Sequence, residues 1–167
     1  MRNDKVRVLF VCLGNICRSP MAEGIFRKLV ADAGLADRIL IDSAGTHGYH
    51  IGEPPDERAQ RTAGRHGIDI SGLRGREATA ADLDTFDYVL AMDYENRDNL
   101  RGLRGDTAKV GMFLAYAPGC GCTEVPDPYF GGCEGFEHVY RLLEEAAAGL
   151  LADIRERHLR LAENPYK

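Results

Sequence analysis

The chain has 167 residues, a net charge of −5, 44% apolar and 28% charged residues, the composition of one soluble globular domain able to bury about two-thirds of its unfolded surface without staples. Its acidity speaks against a nucleic-acid surface, which needs a basic field, so any affinity for an anion has to be local. No apolar run approaches the ~18 residues of a membrane span or the core of a signal peptide, and an odd count of five Cys in a chain of this length points to reduced thiols rather than a disulfide framework, so a cytoplasmic protein with no membrane segment is expected.

The first predicted element is the run Val6-Arg7-Val8-Leu9-Phe10-Val11, nearly continuous in apolar residues as suits a strand buried on both faces of a parallel sheet. It ends in the loop Cys12-Leu13-Gly14-Asn15-Ile16-Cys17-Arg18, which hands over to a helix expected to begin at Ser19-Pro20, a good N-cap followed by a good first helical residue. Gly14 and Asn15 tolerate left-handed backbone, so successive N–H groups of the loop can turn inward against the positive end of the helix and form an anion-binding nest. Arg18 adds a planar fork that grips two oxygens of a tetrahedral anion. Cys12 lies at the floor, where the same dipoles and the guanidinium favour a thiolate, the nucleophilic form. The spacing Cys-x5-Arg alone is cheap. Its weight comes from strand, thiol, turn, cation and cap falling in register.

Residues 20–33 read as a helix stopped at Gly34, and 39–44 as a second strand, giving a βαβ unit. Ser43 closes that strand, either as a plain turn residue or as a support for the loop. The Gly-punctuated loop 45–53 carries His47, Tyr49 and His50 on the rim expected to hold Cys12. The pair His47-x-x-His50 lacks a matching ligand cluster nearby in sequence and reads as polar loop surface, so no metal is expected. Helical patterns follow over 55–66, closed by Gly67, and within 77–86. Tyr88 to Ala91 is a short strand, Asp93 an N-cap for the helix containing Asn96 to Leu100, and Lys109 to Met112 the faintest strand. Cys120, Cys122 and Cys133 bracket the segment Val125-Pro126-Asp127-Pro128-Tyr129-Phe130. Cys-x-Cys is not the usual Cys-x2-4-Cys spacing of a zinc site, and loop thiols are expected. A long amphipathic helix runs from Gly135 to about Arg157, with a frayed tail from about 158.

The segment Cys12-Leu13-Gly14-Asn15-Ile16-Cys17-Arg18-Ser19-Pro20 resembles the signature of the low-molecular-weight protein tyrosine phosphatases, and Val125-Pro126-Asp127-Pro128-Tyr129-Phe130 resembles that family's second signature. The resemblance covers nearly the whole chain and implies a single α/β domain over 1–167, a three-layer sandwich with a four-stranded parallel sheet. It implies hydrolysis of phosphotyrosine proteins through a phosphocysteine on Cys12, with Arg18 binding phosphate together with the loop from Leu13 to Cys17, Asp127 as general acid and base, no cofactor and inorganic phosphate as product. Ser19 stabilises the thiolate in this picture, Ser43 orients the loop, Asn15 braces it, and Tyr49, Tyr129 and Phe130 wall the pocket. A monomer or weak dimer is expected, acting on a bacterial-type tyrosine kinase or on host proteins.

One departure from the family pattern is Leu73, in the slot where many relatives carry a His of the network behind the loop. Three other chemistries share the loop. Relatives acting on phosphoarginine carry Thr where this chain has Ile16, and the apolar residue favours phosphotyrosine. Related arsenate reductases use two further Cys midway along the chain, and none stands between Cys17 and Cys120. A module that only binds phosphoproteins would need the nest alone. Cys17 within one loop of Cys12 suits a reversible protective disulfide.

Overall fold

The computed structural model describes residues 5–104, 107–129 and 133–159. The opening apolar run forms β1 (Val6–Cys12), flanked by β2 (Ile39–Gly45) on one side and β3 (Tyr88–Ala91) on the other, with β4 (Val110–Met112) beyond β3. All three pairings are parallel, in the register Cys12↔Gly45, Val11↔Ala91 and Ala91↔Met112, so the carboxyl ends of the strands share one rim. The helices are α1 (Arg18–Asp32), α2 (Glu57–Arg65), α3 (Ala80–Thr85), α4 (Tyr94–Arg101) and α5 (Cys133–Ile154).

Alternation along β1 sorts the core into two layers. Val6, Val8, Phe10 and Cys12 join the larger cluster, with Met21 and Phe26 of α1 and Phe136 and Leu143 of α5; Leu9 and Val11 join the smaller, with Leu83 of α3 and Leu100 of α4. Helices therefore cover both faces, as an all-parallel sheet requires, and the three-layer α/β sandwich is the observed fold. Phe10 anchors the larger layer, its ring meeting Phe26 and Phe113 edge-on at 5.7 and 4.9 Å between centroids.

The helix stops follow the glycines. After α1, Gly34 takes φ 74°, its N–H donating to the Ala31 carbonyl at 3.0 Å and that of Leu35 to Val30 at 2.9 Å, a Schellman closure. At the other end the helix starts earlier than the sequence suggests. Arg18 is already helical and Cys17 holds the cap position, with no capping bond from its side chain. Ser19 is therefore inside the first turn, where its hydroxyl is used by the loop instead. α4 begins as expected, the Asp93 carboxylate accepting the Asn96 N–H at 2.7 Å. α5 gives way to a wider helical turn over Arg155–Leu159, and Leu159 is buried, so the chain stays packed past the point expected to fray. The tail 160–167 lies outside the described residues.

Among the described residues no helix is long and apolar enough to cross a membrane. One close approach fixes α5 to the body of the domain. Gly149 faces the short 3₁₀ turn Phe113–Tyr116, and a Cβ there would collide with the Tyr116 backbone carbonyl. Backbone cannot swing aside as a flexible side chain can, so Gly149→Ala is expected to destabilise the fold by about 1–3 kcal/mol, read as a lower midpoint in urea unfolding followed by circular dichroism; an unchanged midpoint contradicts the contact.

Candidate active site

The loop after β1 is shaped by where its carbonyls go. Those of Cys12 and Leu13 accept the N–H groups of Thr46 and His47 at 2.9 and 3.1 Å, that of Ile16 accepts Asp56 at 2.8 Å, and that of Cys17 accepts Met21 at 3.3 Å. Donors outside the loop thus occupy these four carbonyls, and the amide across each of those planar peptides points away from that donor. The Asn15 N–H lies 3.3 Å from the Cys12 sulfur. Asn15 alone in the loop takes left-handed backbone, at φ 59°, while Gly14 does not need the freedom expected of it.

Asn15 holds that conformation with its side chain. Its amide donates to Ser19 Oγ at 2.7 Å and Ser43 Oγ at 3.0 Å, and its oxygen accepts the backbone N–H of Arg76 at 3.0 Å. Ser43 in turn donates to Glu23 at 2.7 Å, and this buried carboxylate is matched by Arg27, whose Nε and Nη2 donate at 2.9 and 2.7 Å. The network therefore closes without a histidine: Leu73 packs its side chain against the larger core, and the Arg76 backbone supplies a donor. Ser43 is thus a support of the loop rather than a turn residue. Ser19 Oγ accepts from Asn15 and sits 3.0 Å from Cys12 Sγ and 3.4 Å from the Ala44 carbonyl, so its one hydroxyl hydrogen has two acceptors in reach, the sulfur being the nearer.

Arg18 is buried to 2% exposure. Its Nη1 donates to Asp93 at 2.7 Å and to the Val125 carbonyl at 3.0 Å, and its Nη2 to Asp127 at 3.5 Å. Burial alone would lower the guanidinium pKa, but Cys12, Asp93 and Asp127 outweigh it and hold the cation above its ordinary value. Cys17 is the opposite case. Burial first, then the proximity of Cys12, Asp56 and Asp127, push its thiol well up, so it stays protonated beside Cys12.

Cys12, Leu13, Gly14, Ile16, Cys17, Arg18, Tyr49, Asp127 and Tyr129 all border one cavity of about 210 Å³, so the structure brings together nearly all the residues singled out for binding and chemistry. Tyr49 stands at its rim, 67% exposed and stacked on His47 with centroids 5.1 Å apart. Tyr129 also borders the cavity, with the Arg58 guanidinium 5.4 Å from its ring centre. Asp127 accepts the Tyr129 N–H at 3.0 Å on one oxygen and turns the other toward Arg18. Phe130 lies outside the described residues, as does the side chain of Cys133.

Three contributors escape sequence reasoning. Asp93 caps α4 with one oxygen and pairs with Arg18 through the other, a double duty that its place at the carboxyl end of β3 could have suggested. Glu23 is buried and accepts from Ser43, a role with no signal in the sequence. His50, read from sequence as polar loop surface, borders the cavity, with its Nδ1 3.0 Å from Glu53. No group of three or more potential ligands that could hold a metal occurs among the described residues.

Residues 7–160 match the family model described as low molecular weight phosphotyrosine protein phosphatase. The low molecular weight protein-tyrosine-phosphatase YfkJ of Bacillus subtilis is 47% identical over 153 residues, covering 90% of this chain and 97% of its own. Its crystal structure superimposes with a TM-score of 0.87 over 93% of this chain and 98% of that one. The human low molecular weight phosphotyrosine protein phosphatase is 46% identical over 138 residues, 80% of this chain and 86% of its own. A Drosophila arginine phosphatase is also similar, at 34% identity and a TM-score of 0.82 over 89% of this chain and 97% of that one. With its loop, its parallel sheet and its whole-length match, the chain belongs to the low molecular weight phosphotyrosine protein phosphatase family.

Proposed function

We propose that this chain hydrolyses phosphotyrosine in proteins by way of a phosphocysteine on Cys12. The observation that carries the reading is the convergence of a thiol, a buried guanidinium and a carboxylate on one cavity. The Cys12 thiolate attacks phosphorus while Asp127 gives its proton to the phenolic oxygen that leaves. Asp127, then ionised, takes a proton from water, and the hydroxide equivalent cleaves the S–P bond to give inorganic phosphate and restore the thiolate. Arg18 and the inward amides hold the equatorial oxygens, on which charge is spread in the transition state. The Ser19 hydroxyl and the Asn15 N–H steady the thiolate before attack and as it leaves. No step calls for a metal.

Tyr49 and Tyr129 suit a flat aromatic ring, and Ile16 lines the same cavity with an apolar side chain. That surface favours phosphotyrosine over phosphoarginine, whose guanidinium would need polar partners on desolvation. Assayed side by side, phosphotyrosine peptides are expected to turn over faster than phosphoarginine peptides; the reverse order assigns the chain to the other substrate class.

Cys12→Ser is expected to abolish release of phosphate from an aryl phosphate, and Asp127→Ala to lower kcat by about 10²–10⁴-fold. Retained turnover in Cys12→Ser excludes the phosphocysteine route, while binding of phosphotyrosine peptides by the native chain without phosphate release reduces the protein to a binding module.

Peroxide converts a cysteine thiolate to a sulfenic acid, which condenses with a neighbouring thiol to a disulfide and water. Cys17, buried and protonated beside Cys12, supplies that thiol in the same reading. Peroxide inactivation of the native chain is expected to be reversed by dithiothreitol, and that recovery to be lost in Cys17→Ser, as measured by phosphate release before and after reduction.

A further inference from the structure

The turn that leads into the Asp127 segment carries two thiols that the proposed phosphatase chemistry leaves unused. Cys120 ends the 3₁₀ turn Pro118–Cys120, and Gly121, at φ 76°, folds the chain back so that Cys122 returns onto it. The contact is reciprocal. Cys120 Sγ accepts the Cys122 N–H and donates to the Cys122 carbonyl, both at 3.3 Å, while Cys122 Sγ donates to the Cys120 carbonyl at 3.7 Å. Each sulfur thus lies on the other residue's backbone. Cys122 is exposed and Cys120 half-buried, whereas Cys12 and Cys17 are buried. Cys122 also borders a second cavity of about 370 Å³, lined by Tyr94, Met112, Leu114 and Pro118.

We propose that Cys120 and Cys122 form a dithiol site, separate from the Cys12 cavity, that exchanges with low-molecular-weight disulfides such as oxidised glutathione and closes reversibly to an intramolecular disulfide. The exposed Cys122, as thiolate, attacks one sulfur of the incoming disulfide, whose S–S bond breaks and releases one thiolate to be protonated. The resulting mixed disulfide stands over Cys120. Attack by the Cys120 sulfur on Cys122 Sγ expels the second small thiol. Two protein thiols and one disulfide become one protein disulfide and two small thiols, the electron pair passing to the reagent.

Position favours this fate. Two cysteines one residue apart across a left-handed glycine make the resolving step a closure within one turn, at the end of the 3₁₀ turn Pro118–Cys120. The loop on the far side is anchored independently, since the Glu124 carboxylate accepts the Tyr94 N–H at 2.9 Å and the Val125 N–H donates to Met92 at 2.8 Å. Desolvation first, then the proximity of Cys120 and Glu145, holds the Cys122 thiol above its ordinary value, so exchange is slow at neutral pH and is expected to quicken as pH rises. An exposed disulfide of this kind belongs with the labile, reducible class.

The experiment is titration of the native chain with oxidised and reduced glutathione in varying ratio, followed by alkylation and fragmentation mass spectrometry of the peptide containing residues 118–124. The expected result is a Cys120–Cys122 link, lost on dithiothreitol treatment, and still formed in a Cys12→Ser chain. In Cys120→Ser the same treatment is expected to leave glutathione attached to Cys122, because the resolving sulfur is gone. A native chain that keeps both thiols free in fully oxidised glutathione, that holds glutathione on Cys122 without closing the link, or that joins either cysteine to Cys133 overturns the proposal. Because the readout is the sulfur linkage and not phosphate release, it fails or succeeds independently of the phosphatase reading.

Discussion

The pairing of the buried Arg18 guanidinium with Asp93 and Asp127 is the constraint around which this fold closes. A cation at 2% exposure is tolerable only when its partners are in place, since an uncompensated buried charge destabilises by about 3–5 kcal/mol. The partners come from distant parts of the chain. Arg18 opens α1, Asp93 joins β3 to α4, and Val125 and Asp127 belong to the segment before α5. One side chain thereby registers the carboxyl rim of the sheet: if β3 were misplaced or the late segment undocked, the guanidinium would be stranded. The same contacts hold Arg18 at the cavity it shares with Cys12, so stability and site geometry depend on a single set of bonds.

A second set holds the loop in a conformation its backbone would not choose alone. Left-handed φ at Asn15 is the conformation Asn tolerates best among residues with a side chain, and its amide then fits between Ser19 and Ser43. The chain Asn15–Ser43–Glu23–Arg27 carries this outward to the surface of α1, ending on a carboxylate paired with a half-exposed arginine. Gly45 belongs to the same arrangement. A Cβ there would sit 2.8 Å from the Leu13 carbonyl and 3.1 Å from the Asn15 N–H, so the end of β2 must be bare for the loop to rest against it. Leu73 marks how the support is divided: the donor needed behind the loop comes from the main chain at Arg76, which frees that position for an apolar contact.

The parts of this architecture that were legible in the sequence are those with local causes. The unbroken apolar run of β1, the glycines that close α1 and α2, and the carboxylate that caps α4 each act within a few residues, and each is where pattern places it. The grouping of Cys12, Arg18 and Asp127 was legible only through the resemblance of two separated motifs, because nothing in residues 125–128 by itself says that they return to β1. The misjudged features depend on tertiary competition. Ser19 has the chemistry of a cap, but its hydroxyl is taken up by Asn15 and the Cys12 sulfur, and the helix starts two residues earlier. Glu23, Asp93 and His50 gain their roles from neighbours 20 to 75 positions away or across the cavity, distances at which a linear pattern carries no information.

The two halves of the Arg18 fork are not equally held, and this bears on how one residue can serve both fold and reaction. Nη1 has two short partners, Asp93 and the Val125 carbonyl, at 2.7 and 3.0 Å; Nη2 reaches Asp127 only at 3.5 Å, near the limit of a hydrogen bond. Asp127 is itself one-third exposed and tethered by its other oxygen to the Tyr129 N–H. In the proposed reaction a phosphoryl oxygen would be a better acceptor for Nη2 than this long contact, and charge-assisted bonds of that kind are short and strong. Taking Nη2 from Asp127 would leave the carboxyl free to face the leaving oxygen while Nη1 keeps the helix, the sheet rim and the late segment in register. In that proposed reaction the division would let Asp127 move without loosening the cation on which the fold rests.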